Sequence, residues 1–173
     1  MRIARRLTVA LASIALILSA VVAAPAATAA PDVASIRALI LAQTNQHRAA
    51  AGLNPVIAMP ALDNIAQGCS NRQAANNTMA HCLEYHTLYP AGWQVASENV
   101  AYGYANDAVV TGWMNSPGHR ANILEPTATH LGIGIAFTPS GRPYYTQNFA
   151  SYVTQSGSTF IDVSASGSSA FYS

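Results

Sequence analysis

Leu131-Gly-Ile-Gly-Ile-Ala-Phe137, followed after Pro139-Ser140-Gly141 by Tyr144-Tyr-Thr-Gln-Asn-Phe149, is where the chain changes its hydrophobic period. The first segment alternates, the second is rich in strand formers, and Pro-Ser-Gly between them reads as a hairpin turn. Gly132 and Gly134 fall on one face, a spacing that lets a helix backbone approach the sheet closely. Upstream the period is helical. Ile36, Leu39, Ile40, Gln43 and His47 share one face, with Asp32 as N-cap and Gly52 as stop. A second helix is expected from Pro60, a good first-turn residue, through Leu62, Ile65, Ala66 and Cys69 to Asn76-Asn77. Asn106-Asp107 reads as the cap of a third helix bearing Val109, Val110, Trp113 and Met114. Ser116-Pro117 opens a short fourth, running through His119 and Arg120 to Leu124. Residues 78–105, with His81, His86, Trp93 and Glu98 among Gly, Pro and Tyr, read as an irregular stretch of the kind that often carries sites. Helices first and strands last predict an α+β domain, its helices packed on a mostly antiparallel sheet.

The two ends read differently. Arg2, Arg5 and Arg6 precede an uncharged apolar run from Leu7 to Ala24, and Ala27-Thr28-Ala29 supplies the small residues a signal peptidase needs. Residues 1–29 are therefore expected to be a secretory signal peptide, leaving Ala30 as the new N-terminus. A permanent membrane anchor is the weaker reading of that run, given its alanines, Pro25 and the small-residue exit. No later stretch is apolar enough to span, so the mature protein is expected to be secreted and free of a membrane anchor. Residues 151–173 form a Ser-rich tail in which Phe160, Ile161 and Val163 could add one edge strand; beyond Ser164 disorder is expected.

Between these ends charge is sparse. Residues 30–173 hold five arginines against seven carboxylates, 5 − 7 = −2, and there is no lysine anywhere. Nucleic-acid binding needs a positive face, so nucleic acid is excluded as a partner. Cys69 and Cys82 are an even pair that an oxidising compartment would join, a loop closure contributing about 3 kcal/mol. Cys82 with His81 as nucleophile and base is the weaker alternative, because neighbouring side chains need not face each other.

Of five histidines, His47 beside Arg48 suits a capping or packing role, and His86 and His130 lack a partner at ligand spacing. Ser116 near His119, or Ser97 beside Glu98, raises a serine hydrolase. Neither has a Gly-x-Ser-x-Gly elbow, and an N-cap hydroxyl is expected to be taken by backbone donors. Trp93, Trp113, Tyr102 and Tyr104 could line a ligand groove, although Trp113 at helical spacing suits the core better.

Six segments in order then carry a resemblance. They are Asn45-Gln-His-Arg48 with Gly52-Leu53-Asn54-Pro55; Met79-Ala80-His81; Ser97-Glu-Asn-Val-Ala101 with Gly103; Trp113-Met-Asn-Ser-Pro-Gly-His-Arg120 with Asn122-Ile-Leu124; Gly132-Ile-Gly134; and Tyr145-Thr-Gln147. Over residues 33 to about 150 the chain resembles the bacterial branch of the CAP superfamily of cysteine-rich secretory, antigen and pathogenesis-related proteins, which sets a CAP-like domain at 30–150. The resemblance implies an α–β–α sandwich with a cleft that relatives often line with two histidines and two glutamates, some binding a divalent metal there. His81 matches the first histidine and Glu98 the first glutamate. Ser116 stands where many relatives have the second glutamate, and Tyr144 where they have the second histidine. Half the tetrad is thus replaced, and His119 offers an imidazole from the fourth helix instead. Two imidazoles and a carboxylate, His81, His119 and Glu98, would suffice for zinc with an open position, able to polarise a carbonyl or acidify water. The competing reading makes Glu98 a brace that accepts hydrogen bonds from His119, Arg120 and backbone donors. Three functions stand in order: a secreted, non-enzymatic module binding an extracellular lipid, wall fragment or protein; a metal-assisted hydrolase of peptides or wall polymers; and a structural or host-interacting protein.

Overall fold

The computed structural model describes residues 32–83 and 85–153. The expected leader and the edge strand around Phe160 lie outside them. Helix α1, Val33–Ala50, starts where the Asp32 side chain accepts from the Ala34 N–H (3.1 Å) and from the Ser35 hydroxyl. Gly52, at φ +72°, turns the chain out of it. Strand β1 is only Ile57–Ala58, and α2, Pro60–Asn76, begins on its proline and closes at Asn77 in the left-handed region. One turn of 3₁₀ helix, Tyr85–Leu88, precedes β2, Trp93–Tyr102. Helices α3, Val109–Met114, and α4, Pro117–Ile123, lead into the hairpin of β3, His130–Phe137, and β4, Pro143–Tyr152.

The sheet runs β1-β3-β4-β2, antiparallel except for the short parallel pairing of β1 with β3. Alternation along the strands divides the interior. Leu131, Ile133, Ile135, Tyr145 and Phe149 face α1, α3 and α4, where Ile36, Ile40, Val110, Trp113 and Ile123 close the larger core. On the other face α2 rides directly on the two glycines. A Cβ on Gly132 would stand 2.1 Å from the Leu62 carbonyl carbon, and one on Gly134 2.1 Å from the Ala66 carbonyl oxygen. The result is the expected three-layer α–β–α arrangement.

Side chains cap part of both sheet edges, which blunts the template that free strand edges offer to other chains. Beyond β1, the Ile133 N–H donates to Asp63 Oδ1 (2.7 Å), while Arg37 Nε and Gln67 Nε2 donate to the carbonyls of Ile133 and Ile135 (both 2.7 Å). Along β2, Trp113 Nε1 donates to the Val100 carbonyl (3.1 Å) and Asn122 Nδ2 to that of Glu98 (3.2 Å). Arg48, fully buried, donates to the carbonyls of Asn54, Ile123, Glu125 and Ala128 and so ties α1 to the segment after α4.

Two local expectations are corrected. The irregular stretch contains ten residues of strand, missed because β2 carries polar residues on both faces, Glu98 on one and Asn99 on the other, and both are buried. Helix α3 is capped one residue later than expected, at Ala108 in place of Asn106-Asp107, with no side-chain capping bond. Asn106 is engaged elsewhere, accepting from the Tyr145 hydroxyl at 2.7 Å.

Candidate functional site

Glu98 lies in the middle of β2 and points toward α2, with its side chain 1% exposed. Opposite it, Cys69 on the inner face of α2 is bonded to Cys82, the expected disulfide, with a Cα–Cα distance of 5.8 Å. That bond straps the 78–83 segment to α2 and delivers two donors to one carboxylate oxygen. The Cys82 N–H donates to Glu98 Oε1 at 3.0 Å, and His81 Nδ1 stands 2.9 Å from the same atom. Glu98 Oε2 lies 3.6 Å from Cys69 Sγ, a contact rather than a hydrogen bond because a disulfide sulfur has no proton. Gln73 Nε2 donates to that sulfur (3.3 Å) and to Thr146 Oγ1 (3.1 Å). Burial pushes the Glu98 carboxyl above its ordinary pKa, opposed by the Cys82 N–H, by His81 and by the charge of Arg72.

On the other face of β2 a chain of amides crosses the sheet. Asn122 Nδ2 donates to Asn99 Oδ1 (2.8 Å), Asn99 Nδ2 to Gln147 Oε1 (3.1 Å) and to the His119 carbonyl (3.2 Å), and Gln147 Nε2 to Thr44 Oγ1 (2.9 Å). This network holds the backbone of α4 at His119. Burial first, and the charge of His81 second, lower the pKa of the His119 imidazole.

Two hollows flank the 78–82 segment. The larger, about 580 Å³, opens between the C-terminal half of α2, the strap and the 3₁₀ turn, and is lined by Arg72, Gln73, Asn76, His81, Leu83 and Leu88 among others. Leu83 and Leu88, 91% and 66% exposed, stand as apolar knuckles in its wall. The smaller, about 230 Å³, lies over Val100 between Met79, Tyr102, Tyr104, Trp113, Ser116 and His119.

The expected cleft residues are therefore divided. His81 lines the larger hollow, Ser116 and His119 the smaller, and Glu98 sits behind Cys82 and lines neither. Tyr144 is inside, stacked on Tyr102 at 5.7 Å between ring centres, its hydroxyl donating to Asn77 Oδ1 (3.1 Å). Glu98 is braced by a backbone donor, the Cys82 N–H, as the brace reading has it, but its side-chain partner is His81 where His119 and Arg120 were expected. Ser116 is the N-cap of α4 yet makes no side-chain capping bond, so the argument that capping occupies its hydroxyl fails. Nor do His81, Glu98 and His119 fit a divalent metal as placed. Among the described residues the one group whose ligand atoms all lie within 4.8 Å of one another is Cys69, Cys82 and Glu98.

Sequence reasoning passed over Arg72, Gln73, Leu83 and Leu88. Gln73 was within reach of it, four residues after Cys69 and so on the same helical face. Also missed was Asn148, directly across from Glu98, whose buried amide has no partner at either atom.

The model of the CAP, or cysteine-rich secretory protein, family matches residues 41–149. A Bacillus subtilis (strain 168) protein named as the uncharacterized membrane protein YlbC is 40% identical over 93 residues, 49% of this chain and 25% of its own length. The uncharacterized protein YkwD of the same organism is 32% identical over 131 residues, 70% of this chain and 50% of its own. The chain thus spans half or less of these curated relatives. The crystal structure of an extracellular protein containing a SCP domain from Bacillus anthracis has a TM-score of 0.56 at 26% identity, covering 72% of this chain and 45% of that one.

Proposed function

This chain belongs to the cysteine-rich secretory protein (CAP) family, and on that premise we propose that it works outside the cell as a non-enzymatic binding module whose ligand enters the larger hollow beside His81. The observation that carries this reading is the open, 580 Å³ cleft with leucines standing free in a wall that also presents charge and amides. Arg72 and His81 supply cationic and donor groups, Gln73 and Asn76 supply amides, and Leu83 and Leu88 supply apolar contact. A lipid, a wall fragment or a protein segment with a hydrogen-bonding or anionic part beside an apolar one suits that wall. The Glu98 carboxylate sits behind the disulfide strap and lines neither hollow, which withholds it from a substrate as acid or base and favours binding over catalysis. Export is supported by the basic-then-apolar leader and by the description of the B. anthracis relative as extracellular.

Titration of ¹⁵N-labelled protein with a long-chain fatty acid and, separately, with soluble muropeptides tests the assignment. One of them should move the amide resonances of residues 72–88, and Leu83→Asp with Leu88→Asp should weaken that binding about tenfold, or 1.4 kcal/mol, with the fold intact. Shifts confined to another surface, or binding indifferent to both substitutions, would sink the proposal.

A further inference from the structure

We propose that reduction of the Cys69–Cys82 disulfide turns this part of the structure into a zinc-type metal site, with Cys69 Sγ, Cys82 Sγ and Glu98 Oε2 as ligands. The ligand atoms of these three buried residues already lie within 4.8 Å of one another. Tetrahedral zinc, with bonds of about 2.3 Å to sulfur and 2.0–2.2 Å to oxygen, requires ligand separations of roughly 3.4–3.8 Å. Glu98 Oε2 and Cys69 Sγ stand at 3.6 Å now. The sulfurs must part on reduction, and with their Cα atoms 5.8 Å apart, rotation about the two Cα–Cβ bonds is the motion open to them.

The surroundings hold the three residues in place whether or not the sulfurs are joined. Cys69 is fixed in the middle of α2. Cys82 is held by its own N–H on Glu98 Oε1 (3.0 Å), and its carbonyl accepts from the Tyr85 N–H (3.2 Å). The carboxylate thus uses one oxygen to anchor the strap and turns the other to the sulfurs. Gln73 Nε2, 3.3 Å from Cys69 Sγ, is the N–H donor that commonly supports a metal-bound thiolate from outside the ligand shell. The fourth position falls to a water from the cleft, which Cys82 helps to line, or to His81, whose Nδ1 is 2.9 Å from Glu98 Oε1. Two thiolates with one carboxylate select zinc or a similar soft to borderline cation over calcium or magnesium. The site differs from the His81, Glu98 and His119 set and does not depend on ligand binding in the cleft.

The chemistry balances with a thiol as reductant. Two equivalents of RSH reduce the Cys69–Cys82 bond to two protein thiols and leave as RSSR. Binding of Zn²⁺ then displaces the two thiol protons to solvent. Disulfide and metal exclude each other, and either one straps the 78–83 segment to α2.

The test uses the full chain, reduced with a phosphine under anaerobic conditions and titrated with Co²⁺ and then Zn²⁺. One equivalent of Co²⁺ should produce thiolate-to-cobalt charge-transfer and tetrahedral d–d bands, both lost on adding Zn²⁺ and both absent from the oxidised protein. Dispersed amide resonances before and after metal show that the folded chain is the binder. Cys69→Ser and Cys82→Ser should each abolish the charge-transfer band, and Glu98→Gln should weaken Zn²⁺ binding at least tenfold. Gln73→Leu, which leaves all three ligands intact, should weaken it several-fold. The proposal is overturned by reduced protein that takes up no Co²⁺, by equal uptake in the oxidised form, or by affinity indifferent to both Glu98→Gln and Gln73→Leu.

Discussion

The Glu98 carboxylate and the His81 imidazole meet at 2.9 Å across the boundary between interior and solvent, the first side chain 1% exposed and the second 61%. The acid is therefore committed to the fold, while its partner remains free to meet a ligand. Replacing Glu98 with alanine leaves the buried Cys82 N–H without an acceptor and should destabilise the protein by about 1–3 kcal/mol, whereas glutamine keeps an acceptor and should cost less. Urea denaturation of the two variants measures the difference. The pH dependence carries a sign. Burial raises the folded pKa of Glu98 above its ordinary 4.5, so the folded state binds this proton more tightly than the unfolded state does. Its contribution is complete below 4.5 and falls as pH rises toward the raised value. Glu98→Gln should abolish that decline.

His119 has the opposite sign. Burial, and then the charge of His81, hold its folded pKa below the ordinary 6.5. The stabilising contribution is present above 6.5 and is lost as pH falls through the lower folded value. Proton NMR should give His119 a midpoint under 6.5, and His81→Ala should move that midpoint upward. An unchanged midpoint in the variant would remove His81 as a cause.

Arg48 should be among the least replaceable side chains here. Its guanidinium fork serves four carbonyls from full burial, a geometry that lysine, with one ammonium, does not reproduce. Arg48→Met leaves those carbonyls without their donor, and a loss of at least about 3 kcal/mol is expected. Arg48→Lys should recover only part of it, as read from thermal or chemical unfolding.

Gly134 and Gly118 form a matched pair. A methyl at Gly134 would sit 2.1 Å from the Ala66 carbonyl oxygen, so α2 would have to lift from the sheet. Gly134→Ala should cost roughly 1–3 kcal/mol or more. Gly118 in α4 has nothing within 4 Å of the equivalent position. There alanine reduces only the freedom of the unfolded chain and should stabilise by about 0.4–1 kcal/mol. Equal effects at the two sites would show that the close approach of α2 carries no energetic weight.

Signals that act within a few residues were legible without coordinates. Asp32 capping α1, Pro60 opening α2, Gly141 turning the hairpin and the glycine pair at 132 and 134 each depend on local backbone geometry, and each stands where the sequence places it. The disulfide was legible too, from an even pair of cysteines behind a segment that reads as an export signal. Strand β2 was not, because its alternation is hidden by Glu98 and Asn99, polar residues buried on opposite faces and satisfied from α4 and the 78–82 strap. Neither was the free hydroxyl of Ser116, since a capping residue is recognised by type and its rotamer is chosen by its neighbours.

From its amino acids alone, this protein is an α+β chain with a cross-linked strap, because residue type and short-range spacing suffice to specify those, and six ordered motifs carry its likeness to its family. Only tertiary packing decided that the five candidate residues serve two hollows and an interior, that Glu98 answers to Cys82 as well as His81, and that Leu83 and Leu88 stand in the open. Those outcomes depend on which distant donor reaches a given buried acceptor first, and on which side of the strap each side chain emerges. Competition of that kind has no period along a chain.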